Sequence, residues 1–234
     1  MSPRIPDGLR RAGREVRAFL LQTVWPEVAV CAACGVITDG FRLCPRCRES
    51  LQSEGTSFSW LPTDLEPDLR AYSMRPHEGV ARRLILSLKH QAEAGLAEEL
   101  ASLLDPVPSY ISFPPETVVT WVSMPESRRL ERCIDHGKLL AEAVAARFSL
   151  PCRRLLVRRE TRSRTQASLS RVRREKNLEN AFEPAEPVSF PVLLVDDVLT
   201  TGTTARRCAE TLRKAGADRI TVLTFTRSVG NSLT

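Results

Sequence analysis

The stretch Val192-Leu193-Leu194-Val195-Asp196-Asp197-Val198-Leu199-Thr200-Thr201-Gly202-Thr203-Thr204 decides the reading of this chain. It opens with an unbroken apolar run, too short for a helix and rich in β-branched residues. That is the pattern of a strand buried on both faces in a parallel sheet. Two carboxylates, Asp196 and Asp197, stand where the strand is expected to end. After the loop around Gly202, Ala205, Cys208, Ala209, Leu212 and Ala215 recur at helical spacing, and Gly216 falls where a C-terminal cap belongs. Gly202 permits a tight turn and a close approach to a ligand. Free amides at a helix start, with the hydroxyls of Thr200, Thr201, Thr203 and Thr204, make a nest for a phosphate. The two acids suit neutral hydroxyls and a hydrated Mg²⁺. A ligand with a phosphate at one end, a diol beside it and a metal nearby is a ribose 5-phosphate. The plain alternative is an ordinary strand, turn and helix with an acidic tip. A P-loop is excluded, since no Gly-x-x-x-x-Gly-Lys occurs.

Residues Val195 to Thr204 resemble the 5-phosphoribosyl-1-pyrophosphate (PRPP) motif of type I phosphoribosyltransferases. The resemblance implies an α/β fold, a mainly parallel sheet with flanking helices. It also implies that Asp196 and Asp197 meet the ribose hydroxyls and that Thr200, Thr201, Gly202, Thr203 and Thr204 meet the 5-phosphate, with Mg²⁺ accompanying PRPP. Purine enzymes with this motif carry an aspartate base in the loop. The aligned residue here is Thr200, as in orotate-type enzymes, which speaks against ordinary purine salvage.

The 234 residues fit one domain with a small appendage, or two small domains. No apolar run approaches a membrane span. Arg14 and Glu15 interrupt the only N-terminal candidate for a signal peptide, so a cytoplasmic protein is expected. The formal net charge is +6, mostly from arginine. It favours anionic partners, or else serves solubility alone.

Cys31-Ala-Ala-Cys34-Gly35 and Cys44-Pro-Arg-Cys47 form two C-x-x-C turns. Cys31, Cys34, Cys44 and Cys47 would complete a tetrahedral site with no position left for water, hence a structural Zn²⁺. An iron–sulfur cluster or an unmetallated redox pair are the alternatives. Before this ribbon, Val16, Phe19, Leu20 and Val24 share one face of an amphipathic lead ended by Pro26. Helix and ribbon together make a first domain over 1–60, residues 50–70 read as a linker, and the main domain spans 71–234.

Within the main domain, Val80, Leu84, Ile85 and Leu88 form the apolar face of a helix ending at Lys89 and His90, which could point at a phosphate. Val118 to Val122 is a short strand, and a helix follows from about Gly137 to Phe148. Between them Arg128, Arg129 and Arg132 can donate paired hydrogen bonds to a pyrophosphate. Residues 153–174 are rich in arginine with Thr, Ser and Gln interleaved and no aromatics, which fits a mobile lid better than a base-stacking surface. A disordered basic linker is the alternative.

Across nearly its whole length the chain is similar to the ComF family, phosphoribosyltransferase-like proteins associated with DNA uptake in competent bacteria. Its markers are the Cys pairs, Leu88-Lys89-His90, Arg159, Gln166, Leu169-Ser170, Arg174, Asn177, Ala181-Phe182 and Val195-Asp196-Asp197. The family usually has Pro-Val-Pro where Ser123-Met124-Pro125 stands, and Arg-Gly-Phe-Asn-Gln where Arg132-Cys133-Ile134-Asp135-His136 stands. Asp135 would bring a negative charge to the expected pyrophosphate side, and protonated His136 would offset it. The resemblance implies a PRPP-binding protein in which Lys89 assists the arginines and Arg159, Gln166 and Arg174 belong to the lid. Such a protein is either a Mg²⁺-dependent transferase or a non-catalytic accessory of DNA uptake that meets single-stranded DNA and other competence proteins. Related folds often form homodimers.

Overall fold

The computed structural model describes residues 29–53, 61–91, 94–104, 111–125, 135–159 and 181–228. The N-terminal lead, Arg128, Arg129, Arg132, Cys133, Gln166 and Arg174 lie outside the described residues. In chain order the elements are β1 (Ala29–Val30), β2 (Ile37–Thr38), α1 (Pro45–Ser53), β3 (Leu61–Glu66), β4 (Leu69–Pro76), α2 (Gly79–Gln91) and α3 (Ala94–Ser102). Then follow β5 (Val118–Trp121), α4 (His136–Phe148), β6 (Leu156–Arg158), β7 (Phe182–Pro184), β8 (Val192–Leu199), α5 (Thr203–Lys214) and β9 (Ile220–Arg227).

Five strands form one mixed sheet in the order β3-β4-β9-β8-β5. Three neighbouring pairs are parallel and the β3–β4 edge is antiparallel. The expected α/β fold with flanking helices is therefore present, with an antiparallel edge on an otherwise parallel sheet. β8 lies between β9 and β5, with Val192 opposite both Ile220 and Val118. Its side chains alternate between two cores. Leu193 and Val195 pack with α2, α3 and α4, while Val192 and Leu194 pack with α5. Burial on both faces explains the uninterrupted apolar run.

β8 does not stop before the acids, as expected, but runs through them to Leu199. The reason is its neighbour: β9 extends to Arg227 and keeps pairing, with Asp196 opposite Thr224 and Leu199 opposite Arg227. The helix beyond ends as anticipated. Gly216 takes φ 110°, its amide donates to the Arg213 carbonyl and the Ala217 amide donates to the Leu212 carbonyl, a Schellman closure.

Two expectations about connecting segments are corrected. Residues 50–70 are not simply a linker: α1 continues to Ser53, and Leu61–Glu66 is an edge strand paired with β4. Its proline and acids are tolerated because an edge strand needs only one bonded side, and they hid it from a search for apolar runs. The arginine-rich segment also starts as framework rather than lid. Leu155 and Leu156 are fully buried, and β6 pairs with β7. The Arg153 guanidinium meets Glu186 at 3.0 Å and covers the Phe190 ring. Arginines flank these apolar residues and mask them in composition.

The Cys pairs also join the main core. Cys31, Leu43, Cys44, Cys47 and Leu51 belong to the same buried cluster as Leu84, Leu88, Leu96, Leu140 and Val195. Arg48 of α1 pairs with Glu99 of α3 across this contact. No helix among the described residues is long and apolar enough to cross a membrane.

Candidate functional site

The four-cysteine centre is built locally. The Cys31 amide donates to the Val36 carbonyl and the Gly35 amide to the Cys31 carbonyl, which closes the first turn. The second turn leads into α1, which starts at Pro45, so helix geometry brings Cys44 and Cys47 to one side. All four sulfurs lie within 4.8 Å of one another, and Cys34 and Cys44 are 3.7 Å apart. A tetrahedral four-sulfur site with bonds of ~2.3 Å requires sulfur separations of about 3.8 Å, so these residues fit a zinc ion. Three of the four cysteines are buried. Burial raises the Cys47 thiol well above its ordinary range, while Cys44 is held low by hydrogen bonds from the Cys47 amide and neighbouring thiols that outweigh its own burial. Four thiols packed this closely gain from a dication that takes up their charge.

The second centre gathers residues distant in sequence. Asp197 is buried on β8, and its Oδ2 lies 2.7 Å from the Lys89 ammonium at the end of α2. The same oxygen lies 3.5 Å from His136 Nε2 at the start of α4. At that distance the Lys89 ammonium and the Asp197 carboxylate form a close ion pair. Burial alone would raise the Asp197 carboxyl, but the His136 ring and the Lys89 charge overrule it and hold it below its usual range. Its neighbour behaves oppositely. Burial and the Asp197 charge push Asp196 up to about 7, although its carboxylate accepts the Asp197 amide at 2.9 Å. Behind the pair, the Thr226 hydroxyl donates to the Asp197 carbonyl at 3.3 Å and sits 2.8 Å from His77 Nδ1.

The loop after the acids is shaped for close approach. Gly202 has φ 74° and is the N-cap of α5, with no side chain capping the helix. The positive φ favours glycine, and a Cβ there would lie 2.5 Å from Leu65 Cδ2 and push that side chain aside. Among the described residues, no amide from Thr200 to Ala205 donates to a backbone carbonyl outside its own strand or helix. The Thr201 and Thr203 hydroxyls are 2.9 Å apart. Arg206 turns back and donates to the Thr201 carbonyl at 2.8 Å, which ties the loop to the helix that follows. The result is a set of open amides at a helix start, one strand-end away from two carboxylates.

Three sequence departures find structural roles. Asp135 is the N-cap of α4: its Oδ1 accepts the Gly137 and Lys138 amides at 3.1 and 3.2 Å, and its Oδ2 accepts the Trp121 indole at 3.1 Å. Its carboxylate is thereby engaged at the start of α4. His136, expected to offset Asp135, faces Asp197 instead. Ser123 donates its buried hydroxyl to the Leu156 carbonyl at 2.6 Å and anchors β6. Arg159 forms an exposed pair with Glu183 of β7, which lowers the Glu183 carboxyl mainly through that hydrogen bond. Lys89 is on Asp197, and the remaining basic and lid residues named above are outside the described set.

Sequence reasoning missed the meeting of Lys89, His136 and Asp197. The available signals were a lysine near the end of an apolar helix and an Asp-His pair opening a later one. A divalent cation fits this centre less well than zinc fits the thiols. The buried Asp197 Oδ2 already holds an ammonium, and Asp196 Oδ1 accepts a backbone amide.

No protein-family model matches the chain. It is 34% identical over 118 residues to Competence protein F of Haemophilus influenzae, a match covering 49% of this chain and 51% of that protein. The chain thus matches about half the length of that relative. It is also 26% identical over 210 residues to the DNA utilization protein YhgH of Salmonella typhimurium, covering 88% of this chain and 92% of that one. Homology to these proteins joins the cysteine cluster and the mixed α/β sheet as an established feature. Among solved structures, it aligns with an adenine phosphoribosyl transferase from Trypanosoma brucei in complex with AMP, pyrophosphate and ribose-5-phosphate. That match has 12% identity, 72% of this chain, 75% of that chain and a TM-score of 0.38. A glutamine PRPP amidotransferase from B. subtilis complexed with ADP and GMP aligns at 23% identity, 58% of this chain and 26% of that chain, TM-score 0.37. Likenesses this partial carry no functional weight.

Proposed function

We propose that this protein binds a 5-phosphoribosyl ligand at Asp196, Asp197 and the Thr200–Thr204 loop, and acts as an accessory protein of DNA uptake or DNA utilisation. The observation behind the ligand is the pairing of unengaged helix-start amides with two carboxylates at the carboxyl end of a central parallel strand. In open α/β sheets that end is where ligands lie. The biological setting rests on sequence similarity to Competence protein F and the DNA utilization protein. In this reading the amides hold the 5-phosphate and the acids take the ribose hydroxyls. Arg128, Arg129 and Arg132 reach the pyrophosphate of PRPP, and Arg159, Gln166 and Arg174 line a basic segment that meets single-stranded DNA. The type I phosphoribosyltransferase-like domain takes in the whole five-stranded sheet from β3 onward and so begins at about residue 61, ahead of the expected 71, while the lead and cysteine ribbon precede it, with zinc as a structural ion. Zinc supplies only cross-linking there, because four thiolates leave no open position.

A second reading is a phosphoribosyltransferase that releases pyrophosphate, with Mg²⁺ entering as part of the PRPP complex. The same acid pair supports it: carboxylates beside the ribose stabilise positive charge developing on the sugar. The readings part in a direct assay. PRPP should raise the melting temperature of the wild type, and the shift should vanish in Asp197→Ala; an equal shift in that variant refutes the site. Under the accessory reading no nucleobase in a panel triggers pyrophosphate release, and single-stranded DNA binding weakens steeply with salt. Release with one acceptor establishes the transferase instead.

A further inference from the structure

The acid pair arrives already neutralised. Lys89, His136 and Asp197 come from α2, α4 and β8, and converge on one buried carboxylate oxygen. A Mg²⁺ ion binds carboxylate oxygens at roughly 2.0–2.1 Å and demands near-octahedral surroundings. It cannot share Oδ2 with an ammonium 2.7 Å from that atom without strong repulsion between the two cations. Asp196 is a poorer substitute, since its Oδ1 accepts the amide of Asp197 and only Oδ2 is left for a cation. The Lys89 side chain is only about one-third exposed and its helix is pinned by Leu84, Ile85 and Leu88, each nearly or fully buried. The ammonium is therefore delivered by a rigid element and is not a wandering surface charge.

We propose that Lys89 is the resident counter-cation of this site, holding at Asp197 the place that a divalent ion would otherwise take. Two consequences follow. The ligand-free protein has no affinity for divalent cations at its acid pair. A sugar phosphate without pyrophosphate, such as ribose 5-phosphate, then binds without a divalent ion, because Lys89 orients Asp197 towards the diol. This second consequence rests on the phosphoribosyl reading, whereas the first does not.

The test uses the full chain with its zinc in place and begins with Mn²⁺ alone, followed by the paramagnetic resonance of the free ion. Thiolate-bound zinc is not displaced by Mn²⁺, which prefers oxygen ligands. The wild type and Lys89→Arg, which keeps the charge, should leave Mn²⁺ free. Lys89→Met should gain one site, with at least tenfold tighter binding than wild type, and the double variant Lys89→Met with Asp197→Asn should lose it. Circular dichroism confirms that each variant is folded. A wild-type Mn²⁺ site that disappears in Asp197→Asn, or a folded Lys89→Met that gains none, overturns the assignment. Ribose 5-phosphate is then titrated in EDTA and in Mg²⁺. Wild-type affinity should be the same in both, while Lys89→Met should weaken about tenfold in EDTA and recover in Mg²⁺. If ribose 5-phosphate binds neither chain, the phosphoribosyl reading falls, and the Mn²⁺ result alone decides the role of Lys89.

Discussion

The molecule holds two charge-bearing centres built by opposite means. The cysteine centre takes all its groups from Cys31 to Cys47, closes on itself and is set into the larger hydrophobic core. The acid centre draws Lys89, His136 and Asp197 from three separated elements and leaves the amides of the neighbouring loop open. A closed, local cluster whose four thiols face one another, three of them on buried residues, is suited to fastening the fold. A centre assembled across the sheet, with open loop amides on one side, is suited to receiving something. Balanced charge is common to both, but the first would be balanced by an ion and the second by a side chain.

The comparison breaks most visibly if zinc is removed. Because the cysteines are continuous with the core around Leu84 and Leu140, stripping the ion with a strong chelator should lower the melting temperature by about 10 °C or more, given the large share of folding energy that structural zinc supplies. Cys47→Ser should act alike. A stable, unshifted apo protein would show that the thiols pack without a metal.

A smaller effect is expected at the cradle. Gly202→Ala places a Cβ against Leu65 on a backbone with φ 74°, which should cost about 1–3 kcal/mol in unfolding experiments and abolish binding of the phosphorylated ligand. Unchanged binding would mean that the loop is not the cradle.

The acids themselves should show opposite pH behaviour. Asp196 is raised from 3.8 to about 7, so the folded chain keeps a proton that the unfolded chain loses; stability falls as pH rises across that window. Asp197 is lowered, and its contribution is present above the ordinary carboxylate value and lost as pH falls through its own. Asp196→Asn should therefore raise the melting temperature at pH 8 by roughly 4 °C, the order expected for ~1–2 kcal/mol in a chain of this size, and the gain should vanish near pH 4. A gain that grows on acidification contradicts the assignment. The smallest change is expected for Arg159→Ala: its pair with Glu183 is exposed on both sides, so melting should move by about 1 °C or less.

These centres also differed in how far they could be read in advance. Two C-x-x-C turns are short-range geometry, and spacing alone brought the four sulfurs together. The β8 strand, the Gly202 turn and the Gly216 closure were equally local and legible. The capping role of Asp135 was not legible, because it depends on the helix it starts and on Trp121, fourteen residues earlier. The meeting of Lys89 with Asp197 depended on how α2 packs against the sheet, which no spacing within either segment encodes. β3 was lost because an edge strand carries little apolar pattern, and β6 because arginines surround its buried leucines.

If the loop amides and the acid pair together hold a phosphoribosyl group, a crystal of the full chain soaked with PRPP should show the 5-phosphate within hydrogen-bond distance of the Thr200–Thr204 amides and the ribose hydroxyls on Asp196 and Asp197. PRPP bound elsewhere on the protein, or an ordered and empty loop at saturating PRPP, would contradict it.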